Sequence, residues 1–433
     1  MRGTKLPPDL QIKEEKAVPA KKAIPNILDA YSREVRNHMT DPWRTSSLYS
    51  SSSPCMHALV IGVSHYQYLP ENSLGPIPED GRVTLGLCQA TTPAYSALSF
   101  ASWLESEYNN PDIPMGSIRL LLSPSTQEEE QEDALANLEP HVLHPTARNV
   151  KEALFAWKRD CEKSRNNLGI FYIAGHGIQL SKDDSIVLLE DFANPNDNIL
   201  AGAIDIGSVW RGMSNENAAK IQFYFVDSCR IKPDIFTKYE KNPVGVTLDV
   251  TDEGTVEAAP IFFSAAPRTH ALGELGKGTL FCQALMDCFK LHAVDWPDQQ
   301  GRWMVTTSSL NKWLGRRVMQ LALEYNEVQD AVPGGLMKDV PLHILTKPPN
   351  VPVIIGLDPK DAAEHHALAK LQDGITDKVI FENRQFTPEL EEEVPGGSYL
   401  IHITFPPEEV MFRNRQFRPL FVHPPKTKEI INV

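Results

Sequence analysis

From about residue 56 to residue 346 the apolar positions alternate between two patterns. Short unbroken runs, "MHALVIGV" (56–63), "SIRLLLS" (117–123), "NLGIFYIAG" (167–175), "KIQFYFVDSC" (220–229) and "APIFFSAA" (259–266), lack the polar alternation of a half-exposed strand. Such runs predict strands buried on both faces. Between them lie helix-period segments. "YSALSFASWLESEY" (95–108) puts Ala97, Phe100, Ala101, Leu104 and Tyr108 on one face, and "TARNVKEALFAWKRDC" (146–161) does the same with Val150, Ala153, Leu154, Trp157 and Cys161 behind Thr146 as N-cap. Further helices are expected at about 205–218, over "GTLFCQALMDCFKLH" (278–292) and over "SSLNKWLGRRVMQLALEY" (308–325), with "VPLHIL" (340–345) as a last strand. Strands alternating with helices predict an α/β fold, a mostly parallel sheet flanked by helices.

The flanks read differently. Residues 1–50 form an arm rich in Lys, Pro and Ser, expected to be partly disordered or regulatory, with one short helix in "IPNILDAYSREVRNHM" (24–39). Beyond a boundary near residue 347, "VPVIIGLDP", "DKVIFENRQF", "GGSYLIHITF" and "RPLFVHPP" are short β-type segments between Pro, Gly and Asp turns. They predict an antiparallel, all-β sandwich domain over 351–433, with "HHALAKLQ" (365–372) as a helical turn or loop. The α/β domain then spans 51–346.

Composition narrows the class. With 433 residues, 42% hydrophobic and 23% charged, the chain has the make-up of a globular protein, and no apolar run is long enough to span a bilayer. The start lacks the apolar core of a secretory signal, and the six cysteines show no C-x-x-C pair, so a reducing cytoplasmic setting without membrane or structural zinc is expected. A formal net charge of −14 disfavours nucleic acid as a partner. The acidic run "QEEEQED" (127–133) reads as a solvated loop.

Chemistry in open parallel sheets gathers at the carboxyl ends of strands. Two of these ends carry reactive side chains, His176 in "AGHG" and Cys229 in "FVDSCR". Each alone has a bland reading, a hydrogen-bonded histidine in a turn and an inert buried thiol. Together they make a nucleophile and the imidazole it needs, since a thiol with an ordinary pKa of about 8.5 is mostly protonated at neutral pH. The peptide N–H of Gly177, with that of Cys229, can face a developing oxyanion.

In "FYIAGHG", "FYFVDSC" and the later "FFSAAPRTHALGELGKGTLFCQAL", taken in that order, the chain resembles the caspase-like cysteine peptidases, that is caspases, metacaspases and their bacterial relatives. The spacing 229 − 176 = 53 matches a histidine about fifty residues upstream of the cysteine. The resemblance, over about 56–346, implies Cys229 as the acylating nucleophile, His176 as general acid for the leaving amine, Gly177 and Cys229 as oxyanion donors, and a cytoplasmic endopeptidase of a signalling, defence or cell-death pathway. Asp227 stands where aspartate-cutting caspases have Gln and where Arg/Lys-specific metacaspases have Asp. It faces a basic P1 side chain, or it orients the loop or pairs with Arg230. A second acid that metacaspases often carry early in the first long helix is missing, with Tyr95, Ser96 and Ala97 in its place.

The resemblance further implies protein substrates and no resident cofactor, with calcium as an activator in many metacaspases. The segment between Arg230 and Pro260 is a site of self-cleavage at Lys238 or Lys241, or a hairpin covering the sheet edge. Asp191 after "SIVLLE" reads as structural. The C-terminal domain and the arm are expected to control access or recruit a regulatory protein. The competing function class is a catalytically silent caspase-like interaction module. Other hydrolases fail on pattern: there is no G-x-S-x-G elbow, a phosphatase loop would need Arg where Ile235 stands, and His365 and His366 have no companions for a metal.

Overall fold

A computed structural model describes residues 41–50, 52–71, 84, 86–179, 185–231, 239, 242–249, 254, 256–267, 269–409, 412 and 418–433. The expected helix at 24–39 and the candidate cleavage points Lys238 and Lys241 lie outside the described residues.

In chain order the elements that build the main sheet and its covering layers are β1 (Arg44–Thr45), β2 (Met56–Val63), α1 (Pro93–Ser106), β3 (Met115–Ser123), α2 (Ala147–Cys161), β4 (Leu168–Gly175), α3 (Ile206–Gly212), β5 (Ile221–Ser228), β6 (Ala259–Phe263), α4 (Leu280–Asp287), α5 (Thr307–Glu324) and β7 (Val332–Leu336). The strands order as β1-β3-β2-β4-β5-β6-β7. The five inner strands are parallel and the two edges antiparallel. The chain runs outward from β2 to β3, then crosses back to β4 on the other side, so the direction of winding reverses between β2 and β4. At such a reversal the loops diverge and open a crevice at the carboxyl ends.

Period-two alternation sorts the strand residues between two cores. Met56, Ala58, Val60, Tyr172, Phe223 and Phe225 pack with α1, α4 and α5, whereas Leu59, Ile61, Phe171, Tyr224 and Val226 pack with α2 and α3. Helix α2 behaves as its spacing predicts: all five face residues are buried and Thr146 accepts the N–H of Asn149. Asp191 is structural as expected, accepting the N–H of Ala147 at 3.0 Å at the same helix start.

Several expectations are corrected. "QEEEQED" is not simply a solvated loop: Thr126–Gln131 is helical, and Glu128, 1% exposed, closes a capping box with Ser125 and accepts the N–H of Tyr95 at 3.0 Å. Its carboxylate thereby anchors the start of α1. The expected helix at 205–218 ends at Gly212, where a Cβ would lie 2.6 Å from Leu248. "VPLHIL" does not join the main sheet; Pro341–Ile344 pairs antiparallel with Met304–Thr306, which in turn pairs with Val294–Asp295. The sheet's far edge is instead β7, whose "VPGGL" offers no apolar run to read.

The C-terminal residues form β8 (Asn350–Asp358), β9 (Leu368–Asp373), β10 (Val379–Gln385), β11 (Leu390–Pro395), β12 (Gly397–Thr404), β13 (Arg418–Val422) and β14 (Thr427–Asn432). They make a three-stranded sheet, β11-β8-β14, and a four-stranded one, β10-β9-β12-β13, whose apolar residues share one core. The arrangement is not wholly antiparallel, because β8 and β14 run parallel. "HHALAKLQ" is the end of a 3₁₀ turn, Lys360–His365, followed by strand β9.

Trp157 ties α2 to the sheet, buried at 1% exposure with its indole N–H on the His57 carbonyl at 2.9 Å. Trp157→Ala is expected to cost about 3–5 kcal/mol, the range for an aromatic deleted from a core. The midpoint of urea unfolding measures it.

Candidate active site

Strands β4 and β5 pair with Ala174 opposite Asp227 and Gly175 opposite Ser228. One residue further, His176 and Cys229 therefore leave adjacent parallel strands side by side, about 4.8 Å apart in the hydrogen-bonding direction. The two glycines of "AGHG" are needed for space. A Cβ on Gly177 would sit 2.3 Å from the Cys229 carbonyl oxygen and 2.6 Å from Ser228 Oγ, and one on Gly175 would sit 3.1 Å from Tyr66 Oη. Gly177 faces Val187, and the Leu188 N–H is on the His176 carbonyl at 2.8 Å, which makes Gly177 a non-hydrogen-bonded pair position. Its own N–H then points away from Ile186–Leu188, on the side of the Cys229 backbone.

His176 is held on three sides. Its backbone N–H donates to Tyr66 Oη at 2.8 Å, its ring stacks on Tyr66 with centroids 5.0 Å apart, and its Nε2 is 2.7 Å from the Cys88 carbonyl. A carbonyl accepts only, so Nε2 carries the proton and Nδ1 is left with its lone pair. Burial holds the imidazole below its ordinary pKa, the Cys88 carbonyl opposing in part.

Cys229 is half-buried. Its Sγ accepts the Ala271 N–H at 3.2 Å and lies 4.0 Å from His270 Nδ1. Burial raises the thiol pKa above its ordinary value, with the Ala271 N–H opposing and Asp227 adding to the rise. No hydrogen bond joins Cys229 to His176 among the described residues, so the resting pair is a neutral thiol beside a neutral imidazole.

Asp227 falls on the same face as Tyr172, turned toward the starts of α1 and α4. Its Oδ2 accepts Tyr172 Oη at 2.9 Å and the hydroxyl of Thr279, the residue that caps α4. Thr279 in turn takes Ser96 Oγ as acceptor for its N–H at 2.8 Å. Asp227 is 2% exposed, and its second oxygen, Oδ1, is buried without a hydrogen-bond partner. Burial pushes the carboxyl up to about 6, against relief from Thr279, Tyr172 and Ser264. The alternative of pairing with Arg230 is not what the geometry gives: the Arg230 guanidinium stacks on Phe263, 4.4 Å from the ring centre.

Residues 120–309, which include His176, Asp227 and Cys229, match the family model described as the caspase domain. That stretch of the chain is similar to a caspase domain. An uncharacterized protein of Sinorhizobium fredii, y4kE, is 25% identical over 264 residues, covering 58% of this chain and 72% of that protein. Caspase-1 from Spodoptera frugiperda aligns with a TM-score of 0.37 at 11% identity, over 70% of this chain and 95% of that one.

Sequence reasoning placed His176, Gly177, Asp227 and Cys229, and the fold brings all four to one pair of strand ends. It missed Tyr66, Cys88, His270 and Thr279. Tyr66 follows β2 at the winding reversal and His270 sits in the quoted block "APRTHALGELG"; a search of every strand-end loop for polar residues would have raised both. No group of three or more His, Cys, Asp or Glu arranged to hold a metal occurs among the described residues, and no described helix is long and apolar enough to cross a membrane.

Two outcomes follow from the packing. Alkylation of Cys229 by chloroacetamide, followed by peptide mass spectrometry, is expected to reach half its maximal rate above the ordinary thiol value of about 8.5. Gly177→Ala is expected to destabilise by about 1–3 kcal/mol in chemical unfolding, because backbone rather than a movable side chain meets the added methyl.

Proposed function

We propose that this chain is a cysteine endopeptidase that acylates Cys229 and prefers a basic P1 residue. The observation that carries the reading is the placement of His176 and Cys229 side by side at the strand ends, with the unpartnered Oδ1 of Asp227 beneath them. As a peptide enters, the Cys229 proton passes to Nδ1 of His176 and the thiolate attacks the scissile carbonyl. The N–H groups of Gly177 and Cys229 take the oxyanion. His176 then returns the proton to the leaving amine, the C–N bond breaks, and a thioester remains. Water, deprotonated by His176, hydrolyses the thioester and restores the thiol. Throughout, Nε2–H on the Cys88 carbonyl fixes the ring and supports the imidazolium. A P1 guanidinium or ammonium group satisfies Asp227 Oδ1 and favours its charged form.

A second reading has its own support. The raised thiol pKa, the Ala271 N–H on Sγ and the missing His176–Cys229 hydrogen bond suit a silent module, or a resting form that an activating partner, processing or calcium must open.

On a peptide library varied at P1, assayed with and without calcium, the wild type is expected to cut after Arg or Lys, and Cys229→Ala or His176→Ala to fall to background. Asp227→Asn should lower kcat/KM on Arg and Lys peptides by about ten- to hundredfold, the worth of one charge-assisted hydrogen bond, and spare neutral ones. The basic preference should also fade as pH drops through about 6, because the carboxyl pKa is raised and the group is neutral below that value. Cutting after uncharged residues alone would discard the acidic pocket and keep the dyad, whereas no cutting in any condition would favour the silent module.

A further inference from the structure

A cleft of about 560 Å³ opens away from Cys229, where the far end of α1 meets the strand Pro341–Ile344 and the connection into β8. Its volume lies within the ordinary range of small-molecule sites. Three features make it more than a gap between packed elements.

The first is His343. It is 7% exposed, and its Nδ1 accepts the backbone N–H of Asn109 at 3.1 Å. That bond fixes the neutral tautomer, with the proton on Nε2. Nε2–H has no acceptor among the described residues, and the ring lines the cleft. The Nε2 atom is not one of the sealed, unpartnered polar atoms of the core, so its N–H opens into the cleft, where water or the lone pair of an occupant can accept it. Burial holds the His343 pKa at about 4, so the ring is a neutral donor at physiological pH.

The second feature is charge. Lys290 and Lys347 both line the cleft, are exposed, and form no ion pair among the described residues. Glu107 is the one carboxylate in the lining. Two cations and an imidazole donor against one acid favour an anion.

The third is shape. The segment Cys288–His292, directly after α4, is a π-helical turn, a form that costs helix geometry and recurs at functional sites. It carries Phe289 and Lys290 to the cleft. Phe289 stacks on Trp103 with centroids 4.1 Å apart and 13° between planes, and Trp103 meets the His343 ring edge-on at 5.1 Å. Pro348 and Pro349 close another wall. Phe289 and Trp103 are 1% and 4% exposed and form only the floor, while Tyr108, Leu345 and Pro348 keep apolar surface open beside the donors, which suits a flat ring rather than a bare ion.

We propose that this cleft is a binding site for a small aromatic anion, a flat ring bearing a phosphate or carboxylate, with the anion on His343 Nε2–H, Lys290 and Lys347 and the ring against Tyr108, Leu345 and Pro348. The site is separate from the Cys229 centre and stands whether or not Cys229 cleaves peptides.

Full-length protein labelled at histidine Cε1 would be titrated by NMR with phenyl phosphate, benzoate, phenol and inorganic phosphate, the His343 signal being assigned by its loss in His343→Gln. The expected result is saturable binding of at least one aromatic anion. It should move the His343 signal, raise the pH at which that ring titrates, bind at least tenfold tighter than phenol or inorganic phosphate, and weaken at least tenfold in Lys290→Glu/Lys347→Glu. If His343→Gln does not fold, calorimetry on the wild type and the lysine variant, both altered positions being exposed, decides alone. Absence of saturable binding by both aromatic anions would leave a water-filled cleft and overturn the proposal. So would affinities unchanged by charge reversal, or inorganic phosphate binding as well as the aromatic anions.

Discussion

The backbone contact between Gly177 and the Cys229 carbonyl is the constraint on which the rest of the site depends. A methyl group at Gly177 would stand 2.3 Å from that oxygen, far inside van der Waals distance. Because the two strand ends meet backbone to backbone, the imidazole of one and the thiol of the other emerge from neighbouring rows of a single parallel ladder. The register that matches Gly175 with Ser228 then fixes everything above and below it. A slip of one residue would turn Asp227 to the opposite face, away from Tyr172 and Thr279, and no side-chain adjustment could restore the arrangement.

Electrostatics at the site run against the ordinary preference of a folded core. Three titratable groups, His176, Cys229 and Asp227, are all moved by burial toward their neutral forms. An apolar core of the same shape would be cheaper, and the unpartnered Oδ1 of Asp227 adds a desolvation cost of about 1–3 kcal/mol. Such a cost persists in a fold where something outside the chain offsets it. A substrate that supplies a cation to Asp227 and a carbonyl to Cys229 would do so at both points, which is why the neutral resting state and the proposed catalysis are compatible.

What was legible in the sequence follows from what burial does to composition. The inner strands are covered on both faces, so they are written as unbroken apolar runs, and the reactive residues just beyond two of them could be paired from strand order alone. Strand β7 was illegible because an edge strand needs few apolar residues and its "VPGGL" reads as a turn. Glu128 was misread for a related reason: a single buried carboxylate in an acidic run looks like its solvated neighbours, and only the N–H groups of Ser125 and Tyr95 distinguish it. His270 and Tyr66 reach the site from loops whose course no local pattern encodes. The parallel β8–β14 pair joins the two ends of the C-terminal region, a long-range pairing that turn chemistry cannot announce.

Ser96 bears on the charge state of Asp227. Early in α1 the chain has a serine whose Oγ accepts the Thr279 N–H at 2.8 Å. A second carboxylate near Asp227 would raise the pKa of a group already near 6 by like-charge repulsion, and would hold the pair partly protonated at neutral pH until a cation arrived. With Ser96 in its place, Ser96 Oγ accepts the Thr279 N–H and the Thr279 hydroxyl donates to Asp227, so the acid is held without added charge. One carboxylate so placed ionises around neutrality. Under the proposed basic P1 preference, its attraction for a basic side chain would be weaker than that of a pair of acids and would depend more steeply on pH, so the start of α1 would tune that preference.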